Sequence, residues 1–321
     1  MTLAVYGGAA LGAYGYPEKP WFLPDVRLRA FEAALAQRGL DDRVRRIEAG
    51  RGSDEDILRF HTPAHLARVR RLCAANEGAL DHGPTLARAS VEDAATHVVG
   101  AVMDAARRLV AGELRRAFVP IAGFHHAHPE AARSYCLYND AAIALSFLRD
   151  VVAGPIAYVD VDVHHGDGVY AAFASDPRVV IADVHEDGRT LFPHSPEAPG
   201  AGPVSGAAED DGEGAGKGTK LNLPLAAGAT DADFLAAFAE VEAFLAAHRP
   251  SFVVLVSGVD GLAGDPMAHL ALTPGVIAHA VRRMAAVVDR HVPLLVLAGG
   301  GYDLDNFATG QAAVVEALLE D

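Results

Sequence analysis

Short runs of Val, Ile, Leu and Ala alternate along this chain with longer stretches whose apolar residues recur at helical spacing. The short runs predict strands near 3–6, 44–48, 117–121, 155–161, 178–184, 219–223, 252–257 and 293–298. The longer stretches predict helices near 25–38, 54–60, 63–74, 86–110, 139–152, 231–247, 275–290 and 305–319. Several carry start signals: Ser53 with Asp56, Thr62 before Pro63, and Thr273 before Pro274. Strands that alternate with helices imply right-handed crossovers and a mainly parallel sheet covered on both faces, an α/β fold. No linker interrupts the alternation, so residues 1–321 read as one domain. The Gly- and Pro-rich segment 186–218 is too long for an ordinary connection. It follows a strand, where ligands bind in open α/β sheets.

Polar clusters break the apolar pattern at four places, each just after a predicted strand. They are GFHHAH at 123–128, DVDVHHGDG at 160–168, SGVDGLAGDP at 257–266 and AGGGYD at 298–303. In a parallel sheet all four converge on one edge. Charge at a buried strand end is costly unless it is paired or holds a metal. Alternation along a strand aims Asp160, Asp162 and His164 the same way, with Val161 and Val163 opposite. Asp162, His164 and Asp260 offer two carboxylates and an imidazole and leave one position open, the donor set of a catalytic zinc site. A buried ion-pair network is the competing reading, but no Arg or Lys stands in these clusters to balance the acids. His125 and His126 suit general acid/base work, and each needs a carboxylate to set its tautomer; Asp160 and Asp167 are available. Gly299, Gly300 and Gly301 permit a sharp turn that brings Tyr302 over the metal, where a phenol can donate to developing negative charge. A phosphate loop is the alternative there, yet neither a Lys-Ser/Thr pair nor GxGxxG spacing is present.

Composition narrows the setting. The 321 residues are 51% hydrophobic and 21% charged, which suits a large core in a soluble chain. A formal net charge of −15 repels nucleic acid and anionic membrane, or serves solubility alone. Two distant cysteines, Cys73 and Cys136, make neither a disulfide framework nor a thiolate zinc cluster, and a reducing cytoplasm fits them. The N-terminal stretch lacks a basic start and is broken by glycines, so it reads as strand and loop rather than signal peptide. No apolar run is long enough to span a membrane.

With these residues in view, the chain resembles the histone deacetylase family, which includes bacterial acetoin-utilisation proteins and acetylpolyamine amidohydrolases. The matching stretches run in order: GYPEKPWFLPDVRLRAF, FHTPAHLARV, GFHHAHPEAARSYCLYND, DVDVHHGDGV, HEDGRTLFP, GEGAGKGTKLNLPL, DGLAGDPM and AGGGYD. The resemblance implies an arginase-deacetylase fold with an eight-stranded parallel sheet. It implies Zn²⁺ on Asp162, His164 and Asp260, and the pairs His125–Asp160 and His126–Asp167 with His126 as general base. Tyr302 would polarise the scissile carbonyl. A structural K⁺ is implied near the zinc, through oxygens of Asp160, Asp162 and His164 and the strand at 183–184, with Asp183 where many relatives have Ser. Tyr135 and Phe192 match the aromatic walls of the acyl-lysine tunnel, and Ser134 replaces the usual Gly before the first. Met267 matches a rim position where polyamine-selective relatives carry Glu. Asp81 matches a rim acid that grips the substrate backbone, and Arg27 an arginine beside an internal product channel.

Taken together, the chain reads as a zinc-dependent amidohydrolase that removes an acyl group from a lysine side chain of a protein or peptide. Acetylpolyamines or other small acylated amines are the alternative substrates, and a degenerate acyl-lysine binding module is the non-enzymatic one. Arginase-type hydrolysis with two Mn²⁺ needs further acids, but Gly166 and Leu262 stand at those positions.

Overall fold

Five of the eight predicted apolar runs are buried along their whole length, which requires cover on both faces of a sheet. The structure, a computed structural model, describes residues 3–193, 205–288 and 291–320. Among them the strands are β1 (Leu3–Gly7), β2 (Arg45–Glu48), β3 (Arg116–Val119), β4 (Ile156–Asp160), β5 (Val179–Glu186), β6 (Lys220–Leu225), β7 (Phe252–Val256) and β8 (Leu294–Leu297). They form one eight-stranded sheet in the order β2-β1-β3-β8-β7-β4-β5-β6. Every neighbouring pair is parallel. The edge strand β2 is mostly exposed and carries Arg45, Arg46 and Glu48, charges that discourage pairing with another chain.

The helices are α1 (Ala9–Gly12), α2 (Val26–Gln37), α3 (Asp54–Ile57), α4 (Pro63–Ala75), α5 (Ala89–Val110), α6 (Asp140–Val151), α7 (Asp167–Phe173), α8 (Asp231–His248), α9 (Pro274–Val287) and α10 (Leu304–Leu319). One packed group contains α2, α10, α9 and α8, and another contains α4, α5, α6 and α7. Two short helices, α1 and α7, were not predicted, because four and seven residues are too few to display a helical period. Two caps behave as read: Ser53 and Asp56 form a reciprocal capping box, and the Thr62 hydroxyl accepts the His65 N–H. Thr273 sits at the N-cap of α9, but its hydroxyl donates to Asp231 instead of capping.

The strand order puts the site where the crossovers reverse direction. From β4 the chain steps outward through β5 to β6, whereas from β7 it steps the other way to β8. Ligands in open α/β sheets bind beyond the carboxyl ends at such a point. Of the long segment, residues 194–204 lie outside the described residues. Its return is packed down, with Ser205 Oγ 2.6 Å from His165 Nδ1 and the Gly206 carbonyl 3.0 Å from His185 Nε2. Cys73 and Cys136 are buried free thiols. Among the described residues no helix is long and apolar enough to cross a membrane.

Candidate active site

The loop after β3 is fixed from below before it presents its histidines. Asp140, at the start of α6, accepts the N–H groups of Gly123 and Phe124 at 2.8 and 2.7 Å. Asn139 caps α6 and donates through its amide to the carbonyls of His125 and Ala127 at 3.0 and 2.9 Å. His61 Nε2 accepts the Asn139 N–H at 2.9 Å. His125 and His126 are thereby held in a buried loop with both rings turned inward.

Each ring meets the carboxylate expected of it. His125 Nδ1 lies 2.7 Å from Asp160 Oδ2, and His126 Nδ1 lies 2.7 Å from Asp167 Oδ1. The two Nε2 atoms are 3.1 Å apart. Burial disfavours charge on both rings, but their surroundings differ. For His125 the charges of Asp160 and Asp162 overcome burial and raise the pKa to about 10. For His126 burial, reinforced by the neighbouring His125 charge, lowers it to about 3 despite Asp167. Titratable pairs pushed apart in this way divide donor from acceptor roles.

Asp162, His164 and Asp260 converge beside this pair. All three are buried, and their ligand atoms lie within 4.8 Å of one another, the one such group found among the described residues. His164 Nδ1 is 3.2 Å from Asp162 Oδ1 and 3.1 Å from Asp260 Oδ2. Backbone N–H groups orient the acids: Gly300 donates to Asp162 Oδ2 at 2.6 Å and Val163 to Asp260 Oδ1 at 3.0 Å. Burial and then the Asp162 charge raise Asp260 to about 7. His164 relieves only part of that repulsion between enclosed acids, and a divalent cation would neutralise it further. The donor set therefore fits a metal.

The convergence does not arise as strand alternation would have it. β4 ends at Asp160, and the chain then turns, with the Asp162 N–H bound to Asp160 Oδ1 and the His164 N–H to Asp162 Oδ1, each at 3.0 Å. Short-range bonds from aspartate to backbone, not pleating, aim these side chains.

Tyr302 follows the glycine turn and lines the same cavity as Asp162, His164, His125 and His126. Gly300 has to lack a side chain: a Cβ there would sit 2.1 Å from Asp260 Oδ2 and 3.0 Å from Asp162 Oδ2. Burial, then the charges of Asp260 and Asp162, hold the Tyr302 phenol well above its ordinary pKa, so it remains a donor. Asp265 had no assigned role in the sequence reading, although it stands in a quoted motif. Its carboxylate accepts the N–H groups of Tyr302, Asp303 and Met267 and so fixes the strand-to-helix turn.

Tyr135 lines the cavity, and the Phe192 ring packs edge-on against His126, centroids 5.0 Å apart. Phe22 is a third aromatic that pattern reading missed; it meets Tyr135 and Tyr302 edge-on at 5.4 and 6.0 Å. Ser134 and Tyr135 both have left-handed backbone, φ 46° and 66°. Asp81 supports this turn: it accepts from the Ser134 N–H at 3.0 Å and from Gly83 N and both donors of Thr85. The Thr85 hydroxyl in turn accepts the Tyr135 N–H at 2.7 Å. Both Asp81 oxygens thus accept hydrogen bonds within the chain. Met267 is half-buried beside Asp265. Arg27 is buried in the cavity wall, donates to the Gly299 carbonyl at 3.0 Å and stacks on Phe307 at 4.2 Å. Asp183 pairs with Asp160 across β4 and β5; its Oδ1 lies 2.7 Å from His185 Nδ1 and its Oδ2 accepts the Gly166 N–H.

An all-parallel sheet of this order, with His–Asp couples beside a three-donor cluster at its switch point, defines an enzyme of the arginase-deacetylase fold. The Histone deacetylase domain family matches residues 22–318. Histone deacetylase 8 of Xenopus tropicalis is 33% identical over 280 residues, 84% of this chain and 72% of that protein. Acetoin utilization protein AcuC of Bacillus subtilis (strain 168) is 30% identical over 262 residues, 78% of this chain and 65% of that protein. The crystal structure of the HDA15 HD domain superposes with a TM-score of 0.89 at 27% identity, covering 99% of this chain and 89% of the other. The chain belongs to the histone deacetylase family and is a hydrolase of that family.

Proposed function

We propose that this chain is a zinc-dependent amidohydrolase that removes an acetyl or other acyl group from a lysine side chain of a protein or peptide. The observation that carries the reading is the adjacency of two His–Asp couples to the Asp162–His164–Asp260 cluster, with His125, His126, Asp162 and His164 lining one cavity. Zinc held by those three residues would supply a Lewis acid for the amide carbonyl and acidify the attacking water.

The remaining steps belong to the chain's own groups. His126, kept neutral by burial, takes the proton of the attacking water at Nε2, while Asp167 holds its Nδ1–H. His125, whose Nδ1 lies 2.7 Å from Asp160 Oδ2 and whose Nε2 lies beside that of His126, steadies negative charge as it develops. Tyr302 donates its phenolic hydrogen to the oxyanion, and its turn is set by Asp265. The proton gathered by the histidine pair passes to the leaving amine. Tyr135, Phe22 and Phe192 give the approach an apolar lining suited to a lysine stem.

Peptide is favoured over polyamine at the rim, where Met267 offers no charge to a second ammonium. Asp160 and Asp183 are enclosed side by side; burial, and then the Asp183 charge against the opposing His125, leave Asp160 raised to about 6. That acid pair suits a structural K⁺, to be read as higher thermal stability in potassium than in tetramethylammonium chloride. The deciding assay compares an acetyl-lysine peptide with acetylspermidine on zinc-loaded protein, before and after dipicolinate. Peptide turnover lost on chelation supports the reading; turnover of acetylspermidine alone, or turnover indifferent to chelation, overturns it.

A further inference from the structure

Arg133 is a cation placed where two separate parts of the site meet. Its Nη1 lies 2.9 Å from Asp167 Oδ2, while Asp167 Oδ1 holds His126. Its guanidinium carbon lies 5.1 Å from the centre of the Phe192 ring, which also meets the His126 and His164 rings. Its Nη2 donates to the Pro193 carbonyl at 3.3 Å. The backbone of Arg133 is closed onto Cys136 by reciprocal N–H to carbonyl bonds of 3.0 and 2.9 Å, the turn that presents Tyr135.

From this geometry we infer that Arg133 is a positioning residue that orients the His126–Asp167 couple and the Phe192 wall through one side chain. The inference rests on the acyl-lysine reading for its kinetic form only. Two properties of the guanidinium act on different targets. Its charge fixes Asp167, whose second oxygen would otherwise have only His128, 3.4 Å away, among the neighbouring side chains. Its planar face covers Phe192, a contact that a compact ammonium does not reproduce. The side chain is 38% exposed, so it is reached from solvent without disturbing the core.

The two properties separate by substitution. R133K keeps a cation for Asp167 and loses the planar cover on Phe192. Its kcat should stay within about twofold, while KM for an acetyl-lysine peptide rises about two- to fivefold, the worth of an exposed cation–π contact. R133M keeps an apolar cover and loses the charge. Its KM should stay within about twofold, while kcat falls about tenfold, as loss of a partner behind a catalytic group does. A merely structural role would move both parameters together in both variants, and wild-type values in both would also overturn the inference. Crystal structures of the two variants read the same division without turnover: Phe192 displaced in R133K, Asp167 displaced in R133M. Unmoved side chains in both refute Arg133, whereas absent wild-type turnover with these displacements refutes only the substrate reading.

Discussion

Asp265 and Tyr302 are joined by a 2.7 Å hydrogen bond from the tyrosine N–H to the carboxylate, so a buried acid on one loop sets the backbone of a phenol on another. The same carboxylate takes the Asp303 N–H at 3.1 Å, where α10 begins. Removing the Tyr302 hydroxyl in Y302F should cost about 10² to 10³ in kcat, as loss of an oxyanion donor does. D265N should lower kcat less and leave KM nearly unchanged, because the phenol survives but its turn loosens. Steady-state kinetics of the two variants check the order.

His126 is the neutral member of the histidine pair. H126A should lose most turnover and retain its zinc, since the ring is not among the three converging donors. Metal content by atomic emission, measured with activity on the same sample, tests both halves of this expectation.

Metal binding should depend on an absent side chain. G300A puts a methyl group 2.1 Å from Asp260 Oδ2, so the acids must move apart. The variant should fold yet bind zinc at least tenfold more weakly, by competition against a chromophoric chelator. Zinc should also raise the wild-type melting temperature, because a ligand that binds only the folded state stabilises it. A hydroxamate should inhibit by chelating the same ion.

Acid should unfold the protein partly through His61. Burial, then His65, depress its pKa to about 3 from the ordinary 6.5. The ring stays neutral because its Nε2 must accept the Asn139 N–H. The unfolded chain therefore binds the proton more readily, so this contribution is complete above pH 6.5 and is lost as pH falls towards 3. At pH 5 the loss is on the order of 2 kcal/mol. Urea unfolding between pH 7 and 5 should show a shallower decline in H61Q than in the wild type.

Much of the architecture was legible in sequence because parallel strands buried on both faces are continuous apolar runs, and such runs need no knowledge of their partners. Each predicted strand is present with ends shifted by at most a few residues, from 155–161 to Ile156–Asp160 and from 178–184 to Val179–Glu186. The His–Asp couples and the Asp162–His164–Asp260 cluster were legible because residues of distinctive chemistry stood at strand ends. Only the folded chain could assign Asp265, His61, Asn139, Phe22 and Arg133. Each acts on a residue remote in the sequence or reached through the backbone, and a hydrogen bond to a main-chain N–H leaves no mark on its partner's identity. It also corrected the reason for the convergence at 160–164, where aspartate-to-backbone bonds replace strand alternation. The sequence by itself determined the order of elements and the kinds of reactive group, because periodicity and residue chemistry are local properties. The tertiary structure alone decided how those groups are braced, Asp265 beneath Tyr302 and Asn139 with His61 beneath the histidine loop, because such supports are distances between chain segments.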